Sequence, residues 1–185
     1  MEYKKDLTKR LIAEGFKELV KKSSFEKLTI KTISDEAGII RPTFYNYYRD
    51  KYDVIEWILQ TEVLDGAIEL LEKGDLRGGL CYILRQIMQE KEYYKKIFQI
   101  TGQNSFEEVM QDKLTAYIQG IIIQRGEKKL WPANPALTPY TVARHEAYSF
   151  VGYVKYWVME SSTEATIEEI VDGYLFLRKE MFKYD

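Results

Sequence analysis

Cysteine is nearly absent from this chain of 185 residues. The single Cys81 permits no internal disulfide, which fits a reducing compartment. Histidine is as scarce: His145, within Arg144-His145-Glu146, has no second His or a Cys cluster to share a zinc ion. Neither residue has a neighbour in sequence that would make it a nucleophile or a base. No Gly-rich phosphate loop is present. No apolar run approaches the roughly 20 residues that span a bilayer. Met1-Glu2-Tyr3-Lys4-Lys5-Asp6 leads into an amphipathic pattern and not into a signal peptide. These absences argue against a zinc module, a disulfide scaffold, a thiol enzyme and a membrane span. A cytoplasmic protein with no cofactor, no metal and no enzymatic activity is expected.

Proline is rare too, and three of the four lie between residues 132 and 139. The segment Leu130–Thr138 is therefore the clearest non-helical connection. Elsewhere no stretch alternates apolar and polar long enough for a half-buried strand, so the expected class is all-α. Helices are expected over about 6–23, 30–37, 41–49, 53–71, 76–91, 93–101, 105–128, 139–160 and 167–184. On the first, Leu7, Leu11, Gly15/Phe16, Leu19 and Val20 recur at helical spacing. Thr29 is a good N-cap for the second, which ends near Gly38. Ser105 with Glu108 and Thr166 with Glu169 match capping boxes. Net charge is only −2, but residues 1–56 carry a net +2 and the remainder −4. That distribution permits a nucleic-acid partner at the N-terminal end without requiring one.

The informative stretch runs from Leu28 to Lys51. Two short helices joined by a tight turn at Gly38 form a helix-turn-helix, at about residues 29–48. In that motif the second helix enters the major groove and its N-terminal residues face base edges. Phe44 and Tyr48 are four apart and share the inward face. Thr43, Asn46 and Tyr47 point elsewhere, with Tyr45 at the edge. Arg41 suits guanine, Asn46 adenine and the Thr43 methyl thymine. Tyr and Lys suit phosphate oxygens, which fix register without reading sequence. A small helical bundle with a polar face fits the same pattern.

Phe25-Glu-Lys-Leu-Thr-Ile, Ile33-Ser-Asp-Glu-Ala-Gly and Pro42-Thr-Phe-Tyr-Asn-Tyr-Tyr-Arg-Asp-Lys51 resemble the signature of TetR-family regulators, densely over about residues 7–60. The resemblance implies an N-terminal three-helix head (1–50) that binds double-stranded DNA, and a helical body (51–185) that dimerises and takes a small-molecule effector. It places Thr29 and Lys31 near the phosphate backbone, and Arg41, Pro42, Thr43 and Asn46 at base-facing positions. Tyr45, Tyr47 and Lys51 match positions that clamp phosphates. Tyr47 replaces the commoner His, and Ile40 stands where the family often has Ser or Thr, so its side chain cannot cap the recognition helix. The C-terminal part resembles a subgroup that includes dihydroxyacetone-kinase activators.

The helix expected at 139–160 is apolar on two sides. Ala143, Ala147, Phe150, Val151, Val154, Trp157 and Val158 form one stripe; Tyr148, Gly152, Tyr156 and Met159 form another. Helix 167–184 repeats this with Ile167, Ile170, Val171, Tyr174, Leu177 and Met181. A helix apolar nearly all round must be buried nearly all round, either as the core of a monomer or against a second subunit. The expected dimer contacts are Ala147, Phe150, Val151, Val154, Val158, Ile170, Tyr174 and Leu177. The many rings beyond residue 80, among them Tyr93, Tyr94 and Trp157, either fill a core or line an effector pocket. The expected function is a homodimeric regulator on a near-palindromic operator, repression being favoured over activation. The alternative is a co-regulator that acts through protein contacts of its C-terminal domain.

Overall fold

A computed structural model describes residues 2–102, 105–126, 134–159 and 164–180. Every regular element among them is helical. The chain divides into two compact units, Met1–Gly102 and Gln103–Asp185. Most of the Trp131-Pro132 connection, and the expected helix ends at 127–128, 160 and 181–184, lie outside the described residues.

The first unit begins with α1 (Glu2–Lys22), a short 3-10 turn (Phe25–Lys27), α2 (Ile30–Glu36) and α3 (Arg41–Tyr45). A continuous helical run follows, made of α4 (Lys51–Ile58), a π-helical segment (Leu59–Leu64) and α5 (Asp65–Glu72). Helices α6 (Leu76–Gln89) and α7 (Lys91–Ile97) complete the unit. Its core joins Ile12, Phe16 and Val20 of α1 to Ile33, Phe44, Val54, Ile58, Leu84, Tyr93 and Tyr94. Leu7 and Leu11, expected on the buried stripe of α1, are each 50% exposed. The buried face is rotated onto Ile12, Ala13 and Phe16, because Gly15 allows the backbone of Ala37 to pass 3.3 Å from where a Cβ would stand. Any larger residue at Gly15 would push α1 from the end of α2.

Two further features were not expected from periodicity. The Thr61 hydroxyl donates to the Trp57 carbonyl at 2.8 Å, at the point where the helical run loosens into its π segment. Such a side-chain bond competes with the regular backbone ladder. Glu62, on the same segment, reaches the Lys17 ammonium at 3.1 Å, and Glu14 reaches it at 2.8 Å. Burial would push that ammonium down, but the two carboxylates outweigh it and hold Lys17 above the usual lysine value of 10.5.

The second unit contains α8 (Phe106–Arg125), α9 (Pro139–Met159) and α10 (Ile167–Glu180). Lys155 pairs with Glu107 at 2.6 Å, so the end of α9 meets the start of α8. Contacts of Phe150 with Tyr174, Tyr153 with Ile170 and Glu146 with Arg178 run α10 antiparallel to α9. Caps define the helix starts. Ser105 accepts from the Glu108 amide, and Thr166 and Glu169 bond reciprocally, both as expected. Thr138 and Thr141 form a third such pair.

Candidate nucleic-acid interface

Residues 28–51 fold as a helix-turn-helix whose local chemistry can be followed bond by bond. Thr29 is extended and accepts from the Thr32 amide at 3.2 Å, while the Thr32 hydroxyl accepts from the Thr29 amide at 3.0 Å. Two orphan amides of α2 are thereby satisfied. Sequence reading identified the Thr29 cap but missed Thr32, whose signal is the Thr-x-x-Thr spacing. At the other end Gly38 adopts φ +67°, its amide bonds Asp35, and the Ile39 amide bonds Ser34 at 2.9 Å. This is a Schellman ending, and it needs a residue without a Cβ at Gly38. The turn then delivers α3.

Ile40, at the N-cap of α3, makes no side-chain cap bond and is 69% exposed. Pro42 in the first turn compensates in part, because its missing N–H is one of the groups left unpaired there. Backbone bonds carry the helical turn on from Tyr45 to Tyr48, whose amide reaches the Phe44 carbonyl at 3.0 Å. Phe44 and Tyr48 are buried, as their spacing predicts. The Tyr48 hydroxyl donates to the Lys9 carbonyl on α1, and its ring meets Trp57 of α4. Burial raises the Tyr48 phenol far above its usual value, so it stays a neutral donor.

With Phe44 and Tyr48 turned inward, Arg41, Pro42, Tyr45 and Asn46 are exposed, and Thr43 and Tyr47 are partly so. The Arg41 guanidinium donates to the Tyr45 hydroxyl at 3.1 Å and lies 5.6 Å from that ring. Thr29 and Lys31 are exposed at the start of α2, Lys31 paired with Asp35 at 3.0 Å. All nine residues expected to meet DNA are therefore exposed or partly exposed on one motif. Lys51 differs: its ammonium donates to the carbonyls of Phe25 at 2.7 Å and Leu28 at 3.2 Å.

The eight residues expected at a dimer contact divide otherwise. Ala147, Phe150, Val151, Val154, Val158, Ile170 and Tyr174 are buried within their own chain, and only Leu177 is exposed. A side chain already buried adds little area to a second subunit. The outward face of α9 carries Tyr140, Arg144, Tyr148, Gly152 and Tyr156, a line with spacing four, and α10 adds Phe176. Arg144 donates to both the Tyr140 and Tyr148 hydroxyls, at 2.6 and 2.7 Å.

Among the described residues no group of three His, Cys, Asp or Glu could hold a metal, and no helix is long and apolar enough to cross a membrane. Residues 74–174, more than half of the chain, match the TetR-type family profile described as the transcriptional regulator C-terminal region. The chain belongs to the TetR family of transcriptional regulators. A relative in Lactococcus lactis subsp. lactis (strain IL1403), the HTH-type dhaKLM operon transcriptional activator DhaS, is 27% identical over 94 residues. That match covers 51% of this chain and about half (50%) of the relative. Solved TetR-like structures share the fold. A TetR-family regulator from Syntrophomonas wolfei str. Goettingen superposes with TM-score 0.72 at 15% identity, covering 95% of each chain. The dihydroxyacetone kinase operon activator DhaS gives 0.61 at 22% identity, over 92% of this chain and 93% of that one. The repressor FadR of Thermus thermophilus, solved with lauroyl-CoA, gives 0.64 at 19% identity over 96% of each. This TetR-family chain is thus an all-α regulator of the DNA-binding class.

Proposed function

We propose that this TetR-family protein is a cytoplasmic homodimer that reads a near-palindromic operator with the exposed side of α3 and represses the genes behind it. The observation that carries the reading is the division of α3, with Phe44 and Tyr48 inward and Arg41, Pro42, Tyr45 and Asn46 outward. Arg41, Thr43 and Asn46 meet base edges. Thr29, Lys31, Tyr45 and Tyr47 hold phosphates and fix register. Residues 1–50 act as the head and 51–185 as the body. The dimer face is the exposed Tyr148, Gly152 and Tyr156 of α9 with Phe176 and Leu177 of α10, in place of the buried stripe. A two-fold axis through that face presents two heads to two half-sites.

A small-molecule effector that prefers one arrangement of the body shifts the population of heads able to bind DNA. The Trp157 Nε1, buried on α9 with no hydrogen-bond partner among the described residues, supports a ligand in the second unit. Activation is the second reading, favoured by the identity to the activator DhaS.

Replacing Asn46 with Ala tests the proposal. Preference among operator variants should change while binding to scrambled DNA stays as in the parent. A variant that keeps the parent's sequence preference would remove the α3 reading.

A further inference from the structure

Lys51 occupies the first turn of α4, where Asp50 caps the helix by accepting from the Tyr52 and Asp53 amides. The stem is therefore anchored at its root. Its ammonium donates to two carbonyls, Phe25 at 2.7 Å and Leu28 at 3.2 Å. It also lies 4.1 Å from the centre of the Phe25 ring. That ring is itself fixed, meeting Phe16 edge-on at 6.3 Å and Tyr52 at 5.1 Å. The two carbonyls belong to the start of the 3-10 turn and the residue that ends it, and the Phe25 carbonyl also accepts from the Leu28 amide. The next residue is Thr29, the cap of α2.

A phosphate meets only the one N–H that these carbonyls leave, on a cation already held by two charge-assisted bonds and an aromatic face. Such bonds are about twice as strong as neutral ones. Burial also lowers the Lys51 pKa, with Glu26 opposing in part, as expected for a cation turned towards the protein and away from water.

We infer that Lys51 is a positioning residue and not a phosphate ligand: it ties residues 25–28 to the start of α4 and so fixes the Thr29 end of α2 that faces DNA. The inference rests on the operator-binding reading for its effect on affinity, but its structural half stands without DNA. It separates two roles that the motif alone merges. Lys31 supplies charge, and Lys51 supplies geometry.

The test uses the full chain, with Lys51→Met keeping the stem and removing the charge, and Lys31→Met as the comparator. Without DNA, amide exchange over Thr32–Glu36 should quicken on the order of tenfold in Lys51→Met, the loss expected for bonds to a charged group, while α6 amides keep the parent's rates. With the upstream DNA, Lys31→Met should lower the salt slope of binding by about 0.9, the value of one lost phosphate contact. Lys51→Met should weaken binding with the slope unchanged, and should cost little more once Thr29→Ala is present. In the parent itself, the Lys51 ammonium nitrogen resonance should stay in place when DNA is added. A slope lowered by about 0.9 in Lys51→Met, or a Lys51 resonance that moves with DNA, overturns the inference. So does unchanged exchange over Thr32–Glu36. If the parent binds no DNA, the operator reading has failed and the exchange rates alone decide the role of Lys51.

Discussion

Helix α3 is five residues long and α9 is 21, yet each turns one face to its own chain and another outward. On α3 the two faces differ in chemistry. Phe44 is buried beside Tyr48, and Arg41 and Asn46 are exposed. On α9 the inner face is apolar and the outward one is largely aromatic, interrupted by Arg144. Ala147, Val151, Val154 and Val158 are fully buried, whereas Tyr156 is 57% exposed and Tyr148 36%. The hydrophobic effect is non-directional, so it orients a helix only when its faces differ. A polar outward face says both where a helix packs and what it meets. A second apolar face says only that something covers it.

The comparison can be broken most severely from within. Val154→Asp would bury a carboxylate without a partner, and the second unit should fail to fold, seen as loss of the cooperative melting transition. Tyr156→Asp, one half-turn away on the outward face, should leave melting intact and convert a dimer into a monomer in sedimentation. Equal loss of fold in both variants would mean that α9 has no outward face. On α3, Phe44→Ala should cost about 3–5 kcal/mol of stability, while Arg41→Ala leaves stability within about 0.5 kcal/mol and weakens operator binding.

The pair between Lys17 and Glu62 gives a smaller effect. Glu62→Gln should cost about 1.5 kcal/mol, since Glu14 still serves the ammonium. Its pH dependence has a definite sign. The folded Lys17 pKa is raised, so its stabilisation is complete below the ordinary value of 10.5 and is lost as pH climbs through the higher folded value. Urea unfolding from neutral pH upward should therefore show a steeper alkaline decline in the parent than in Glu62→Gln. Smallest is Thr29→Ala, about 1 kcal/mol for a lost helix cap, read from the same unfolding curves.

These differences explain what was legible in the sequence. The head is written in short-range terms: Thr29 to Thr32, Gly38 after Ala37, Phe44 to Tyr48. Each pair spans at most a helical turn, so spacing can predict it, as it does for the Ser105 and Thr166 caps, although the Thr32 half of the first pair was missed. Much of what escaped depends on groups far apart in the chain. Lys51 meets residues 23 and 26 positions earlier, and Glu62 lies 45 positions from Lys17. The Thr61 bond to the Trp57 carbonyl, where the π segment begins, leaves no mark in the periodicity. Leu7 and Leu11 misled because the packing of α1 is set by its approach to Ala37 at Gly15. The stripe expected at a dimer contact is mostly buried within its own chain, because tertiary packing selected that face of α9 for the core.

The central claim is that the outward face of α3 reads bases. Fluorescence-anisotropy titration of the protein with its own upstream intergenic DNA and with a scrambled duplex, at two salt concentrations, tests it most directly. Preference for the upstream DNA that persists as salt rises is the predicted result. Equal binding to both duplexes that vanishes with salt would reduce the interaction to phosphate attraction and contradict the claim.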